Sequence, residues 1–207
     1  MCSIRTAESV CAGHPDKLAD QIADQILDDI LYDDKAARVA VEVMAAGRRI
    51  IVTGEITTNH RPRIRESVRT ALARAGYSPL GILIYVWTRR QSSDINAGVT
   101  TSLEARGGDS SAFALQGAGD QGTVYGYATA ETPERLPLPL VLAHRICERL
   151  DTAQVEGTIC GIKSDGKAQV SVRYDDTGTP AAVETVVVSV QHEAGKDLAV
   201  LEREVRS

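Results

Sequence analysis

The chain is poor in aromatic residues, which make up 4% of it, with one Trp and one Phe, so Val, Ile, Leu and Ala must build its core. Its four cysteines, Cys2, Cys11, Cys147 and Cys160, form no CxxC pair, which excludes a zinc knuckle or a disulfide framework. It also lacks a clustered cationic run, and Lys+Arg 23 against Asp+Glu 28 leaves a formal charge of −5. Nucleic acid and anionic membrane are therefore excluded as partners, because both require Lys and Arg gathered against phosphates. No apolar stretch approaches the ~20 residues of a membrane span, and the N-terminus lacks the basic-then-apolar layout of a secretory signal, so the cytoplasm is expected. GxSxG, the Walker loop and HExxH are missing as well. What remains is 207 residues, 43% hydrophobic and 25% charged, enough for one or two soluble cores acting on small molecules.

Periodicity predicts a helix over residues 14–32, where Pro15 suits the first turn and Leu18, Ile22, Ile26 and Ile30 recur every fourth position. Residues 38–44 and 49–56 alternate as strands around Gly47, a hairpin pattern. Pro62 opens a second helix carrying Ile64, Val68, Ala71, Leu72 and Ala75, ended by Gly76, and residues 81–87 read as a short strand. From residue 90 to 122 periodicity disappears in a Gly-, Ser- and Ala-rich loop. Thr123 to Tyr127 is strand-like, and a helix is expected over 138–150. Strands are expected near 157–163, 168–175 and 182–191, then a helix from 196. Hairpins mixed with a few helices predict an α+β fold, with mixed or antiparallel sheets and helices on one face. The expected division is 1–130 and 131–207, an approximate boundary across which the domains can interleave.

Several residues could carry chemistry. In Gly13-His14-Pro15-Asp16-Lys17, Gly13 admits a ligand close to the backbone, His14 can donate to an anionic oxygen, Asp16 can bind a hard cation, and the helix start favours phosphate; simple helix capping is the other reading. Glu42 and Glu55 are carboxylates in apolar strand patterns that the hairpin would bring to one face, either to hold a cation or amino group or merely to meet solvent. Gly117, Gly119 and Gly122 spell GxGxxG, but no strand precedes and no helix follows, so the dinucleotide reading fails and a Gly-rich loop presenting Asp120, or a plain turn, remains. Asp165 lies between Lys163 and Lys167 in what reads as a loop joining two strands. His60, His144 and His192 have no partner at metal-ligand spacing.

In order, ESVCAGHPDKLADQI from Glu8, GEITT from Gly54, QSSDINAGV from Gln91, GAGDQGTVYGYAT from Gly117, LAHR from Leu142, DGKAQV from Asp165 and VSVQH from Val188 closely resemble the S-adenosylmethionine synthetase (methionine adenosyltransferase) family. The resemblance implies that methionine sulfur attacks C5′ of ATP and that the tripolyphosphate released is cleaved to phosphate and pyrophosphate, with Mg2+ and K+ assisting. By the same resemblance, His14 and Lys167 would be catalytic, and His14, Asp120, Asp165 and Lys167 would contact ATP. Glu55, Gln91 and Asp120 would hold methionine, Asp16 would bind magnesium, and Glu42 would lie at the potassium site. Gln91 would open a mobile lid, spanning residues 90–122, in which residues 100–114 form an insertion relative to the family.

A sulfur nucleophile needs no general base, so such an enzyme works by alignment and by stabilising charge on the phosphates. Family members continue for about as long again and there supply further cations. The expectation is one subunit of a split, hetero-oligomeric synthetase built on dimers, partnered by a polypeptide resembling the C-terminal half. A non-catalytic regulatory or pseudoenzyme subunit that binds a complete synthetase is the alternative.

Overall fold

The structure, a computed structural model, describes residues 3–92, 102–111, 114–115 and 122–206. The chain forms two compact units that interleave along the sequence. One comprises Met1–Leu18, Leu72–Ser78 and Gly126–Ser207, the other Ala19–Ala71 and Pro79–Tyr125. A single cut near residue 130 therefore does not separate them, because the N-terminal strand folds with the C-terminal part.

In the first unit, β1 (Ser3–Val10), β5 (Ile162–Tyr174) and β6 (Pro180–His192) form an antiparallel sheet in the order β1-β5-β6. The 13-residue central strand β5 buries every second residue: Ile162, Ser164, Gly166, Ala168, Val170, Val172 and Tyr174. Helix α4 (Leu138–Glu156) covers that face. Ala143 packs on Val170, Val172 and Tyr174, while Cys147 and Leu150 pack on Ala168 and Cys11. Leu201 of the terminal helix α5 (Leu198–Arg206) closes a third cluster with Ala153 and Ile162. α4 ends at Gly157, whose φ of 70° is the left-handed cap that glycine adopts without penalty.

In the second unit, β2 (Arg38–Ala46), β3 (Arg49–Thr57) and β4 (Leu83–Arg89) pair in that order, antiparallel then parallel. Ile50, Val52 and Ile56 of β3 are buried, as are Ile22, Ile26 and Ile30 of α1 (Pro15–Asp33) and Ile64, Val68 and Ala71 of α2 (Ile64–Arg74). Where α1 ends, Asp34 accepts the Asn59 amide and the Thr58 hydroxyl, both at 2.9 Å, and so ties itself to the chain leaving β3. A short turn of helix, α3 (Leu103–Arg106), lies within the expected lid. Antiparallel and mixed sheets combined with helices make this an α+β fold.

Three expectations change. β1 has no apolar alternation and was not expected. The strands expected at 157–163 and 168–175 are one strand, because the loop after Val10 keeps pairing with Ser164 and Gly166 and holds that turn-like sequence extended. Residues 123–127 form no strand and are exposed. Among the described residues, no helix is long and apolar enough to cross a membrane.

Candidate active site

The β1–α1 junction is built by continuing a ladder through a sequence that does not look like a strand. β1 pairs with β5 as far as Val10 opposite Lys167, and the same register runs on: Cys11 N–H donates to Gly166 O at 2.9 Å, and Gly13 N–H to Ser164 O at 3.0 Å. Only glycine fits at position 13, since a Cβ there would sit 2.4 Å from Ser164 Cβ. The backbone then turns into α1, with the Leu18 amide donating to His14 O at 2.8 Å. His14 Nδ1 accepts the Asp16 amide at 3.2 Å, which puts the neutral ring's proton on Nε2, the nitrogen free to donate to an anion. Thus the capping and anion-binding readings of His14 are compatible, one for each ring nitrogen. Lys17 reaches back to Val10 O at 2.5 Å and fastens the helix to the strand.

That ladder brings His14 and Asp16 to the same strand end as Asp165 and Lys167. Asp165 and Lys167 stand within β5 rather than in a loop, and both are half-buried. Lys167 Nζ is 2.8 Å from Glu8 Oε1 on the neighbouring strand. Tyr77 donates its hydroxyl to Gly13 O at 2.6 Å, and its phenol is pushed up by burial and then by the nearby Asp165 charge. Asp151 of α4 accepts the Ala12 amide on both oxygens at 3.1 Å. Neither Tyr77 nor Asp151 announces itself in the sequence, because each lies inside an ordinary helical or post-helical segment. Cys11 is no nucleophile: its thiol hydrogen-bonds toward Cys147, and that contact and burial push its pKa far up.

The second unit holds Glu42, Glu55 and Gln91. Glu42 lies opposite Thr53, and Glu55 opposite Ala40, so both carboxylates share one sheet face as expected from the hairpin. Glu42 is exposed, whereas Glu55 is 20% exposed and accepts Arg89 Nε at 3.0 Å. Gly54, at φ 125°, allows this ladder, because a Cβ there would lie 2.1 Å from Ala40 O. β3 and β4 run parallel with Glu55 beside Arg89, and beyond that pair in sequence Thr57 Oγ1 and Gln91 Oε1 are buried with no hydrogen-bond partner among the described residues. Each of these oxygens, at or past the C-terminal ends of the parallel strands, can accept from a donor such as an ammonium group. Thr57 was missed by sequence reading. Asp120 lies outside the described residues, so its place in the site is left to its motif.

Metal binding can be tested on the same geometry. Among the described residues no group of three or more His, Cys, Asp and Glu is arranged to hold an ion. Asp16 is a single carboxylate, its side chain 91% exposed, in the first turn of α1. Magnesium commonly takes one or two carboxylates plus substrate phosphates, so Asp16 fits an ion shared with a phosphate rather than a protein cage. Glu42, exposed on β2, could offer a potassium ion a single carboxylate.

Family models add the deciding observation. Residues 3–93 match the S-adenosylmethionine synthetase N-terminal domain and residues 115–207 match its central domain. The chain belongs to the S-adenosylmethionine synthetase family. It is 48% identical over 195 residues to an S-adenosylmethionine synthase of Kosmotoga olearia, covering 91% of this chain and 49% of that protein. It is 45% identical over 196 residues to the S-adenosylmethionine synthase of Corynebacterium urealyticum, covering 91% and 49%. Against that of a Nocardioides species it is 40% identical over 210 residues, covering 97% and 52%. The chain spans about half the length of these synthetase relatives. Of the candidate residues, His14, Asp16, Glu42, Glu55 and Gln91 fall in the N-terminal match, and Asp165 and Lys167 in the central one.

Proposed function

We propose that this chain forms S-adenosylmethionine from ATP and L-methionine, as one subunit of a heteromeric synthetase in the cytoplasm. The observation that carries the reading is the ladder from Cys11 and Gly13 onto Gly166 and Ser164, which gathers His14, Asp16, Asp165 and Lys167 at one strand end. The methionine thioether sulfur attacks C5′ of ATP, the C5′–O bond breaks, and tripolyphosphate leaves with the electron pair; hydrolysis then gives phosphate and pyrophosphate.

His14 Nε2–H donates to the leaving oxygens, Lys167 offsets phosphate charge, and Asp165 and Asp120 contact the nucleotide. Glu55, Gln91 and Asp120 hold methionine; the buried, unpartnered Gln91 Oε1 supports this, because an ammonium donor would satisfy it. Magnesium at Asp16, when bound, would neutralise charge on the phosphates, and potassium would lie by Glu42 only with ligands from elsewhere. Gln91 opens the lid that excludes water from this charge-separating step.

A triphosphate carries a charge of about −4, and the candidate residues oppose it with Lys167, already paired to Glu8, and a histidine. We therefore assign the further cations to a second polypeptide resembling the other half of the relatives. Equimolar mixing of the two chains with ATP, methionine, magnesium and potassium should yield S-adenosylmethionine by chromatography, and Asp16→Ala should lower the rate by roughly a hundredfold. Full activity of the lone chain would overturn the need for a partner, and an inactive mixture would overturn the synthetase reading. An active mixture indifferent to Asp16→Ala would favour a non-catalytic role.

A further inference from the structure

The loop Cys11-Ala12-Gly13 that delivers His14 is gripped at every backbone donor. Cys11 N–H donates to Gly166 O, Gly13 N–H to Ser164 O, and Ala12 N–H to both carboxylate oxygens of Asp151, at 3.1 Å each. The Gly13 carbonyl accepts the Tyr77 hydroxyl at 2.6 Å. Two of these grips are backbone-to-backbone ladder bonds. The other two depend on particular side chains reaching in from α4 and from the segment after α2.

We propose that Asp151 and Tyr77 are positioning residues that fix the Ala12–Gly13 backbone and thereby the entry of His14 and Asp16 into the anion site. The inference rests on the synthetase reading for the purpose of that site, but not for the mechanical role of the two side chains. Asp151 is a poor choice if stability alone is at stake. It stands half-buried one turn beyond Cys147, and burial pushes its carboxyl above the ordinary range despite the Ala12 amide that draws it back. A group with a raised carboxyl pKa stabilises the fold only below its unfolded value of 3.8, and that contribution is lost as pH rises through the folded one. Ionising Asp151 thus weakens its contribution to the fold as pH rises through its raised folded value, and what the side chain supplies is a two-oxygen acceptor aimed at a single amide. Tyr77 is likewise half-buried with its hydroxyl spent on one carbonyl.

Residue-resolved amide hydrogen exchange on the intact 207-residue chain, with its thermal midpoint, tests this. In Asp151→Ala, exchange at Ala12, Gly13 and His14 should accelerate about tenfold or more, the equivalent of one charge-assisted hydrogen bond, while α4 and β5 amides and the midpoint stay within error or improve. Asp151→Asn, which keeps an acceptor oxygen without the charge, should restore most of the protection. Tyr77→Phe should loosen the same three amides and leave the core alone. Unchanged loop exchange in both variants overturns the proposal. Faster exchange throughout α4 and β5 with a lowered midpoint also overturns it, by making the two residues ordinary supports of the fold. A parallel titration with inorganic tripolyphosphate and magnesium separates this from the functional reading. If wild type fails to bind while the loop loosens as stated, the anion site is wrong and the positioning role stands.

Discussion

Glu131 shows how much a single carboxylate can organise when its partners are all donors. Its side chain is 9% exposed and accepts the Tyr174 hydroxyl at 2.5 Å, the Leu138 amide at the start of α4 at 3.1 Å, and Arg5 at 3.3 Å. Burial disfavours its charge, but the Tyr174 hydroxyl, the Leu138 amide, Thr129 and Arg5 outweigh that and hold its carboxyl below the usual 4.5. Its contribution is therefore complete above 4.5 and lost as pH falls through the lowered folded value. Tyr174 behaves in the opposite sense. Burial and the bond to Glu131 push it to about 12, so its contribution is complete below pH 10 and fades as pH climbs toward that value. Glu131→Gln should lower stability at pH 7 by about 1–3 kcal/mol and flatten the acid limb of a stability–pH curve measured by urea unfolding. A variant whose acid limb remains as steep as wild type would contradict this account.

Elements differ in how openly the sequence declares them. α1, α2 and the β2–β3 hairpin advertise themselves by local period, with Ile22, Ile26, Val52 and Val68 fully buried, whereas β6 does so by its β-branched run although none of its residues is fully buried. β1 does not. Its residues Ser3, Ile4, Arg5 and Thr6 are all exposed, and it is a strand because β5 offers an unpaired row of amides and carbonyls. β5 misleads for the related reason that Ser164-Asp165-Gly166 has turn chemistry, yet a distant segment pairs with it and overrides that preference. The same logic divides the site. The candidate residues His14, Asp16, Glu55, Gln91, Asp165 and Lys167 stand in motifs that a sequence displays, whereas Tyr77, Asp151 and Thr57 are singled out only by hydrogen bonds or burial formed in three dimensions. At this scale packing makes a sharp prediction. Ala143 of α4, fully buried on Val170, Val172 and Tyr174, leaves no room for a larger side chain, so Ala143→Leu should cost about 1–3 kcal/mol. Val155→Ala on the exposed side of the same helix should stay within about 0.5 kcal/mol, both read by denaturant unfolding.

At the scale of the whole molecule, the open face of β2–β3–β4 carries Met44, Leu83, Tyr85 and Trp87, all exposed, with the Tyr85 and Trp87 rings stacked at 5.9 Å between centroids. Large exposed apolar side chains beside Glu42 and Glu55 on the same face are what an interface covers. Sedimentation equilibrium of the chain alone should give a mass above one copy, and Tyr85→Asp with Trp87→Asp should return it to one. A wild-type monomer at micromolar concentration would refute this. The pairing of β1 with β5 also sets an order in time. Thr6 and Ser171 meet across 165 residues of chain, so on the ribosome β1 must wait until β5 has been made, roughly ten to thirty seconds at ordinary synthesis rates. Through that interval the loop carrying His14 has no ladder to lean on. The candidate anion site at His14 and Asp16, translated well before β5, is thus assembled only after β5 is made, and anion binding there would report that the long-range sheet has closed.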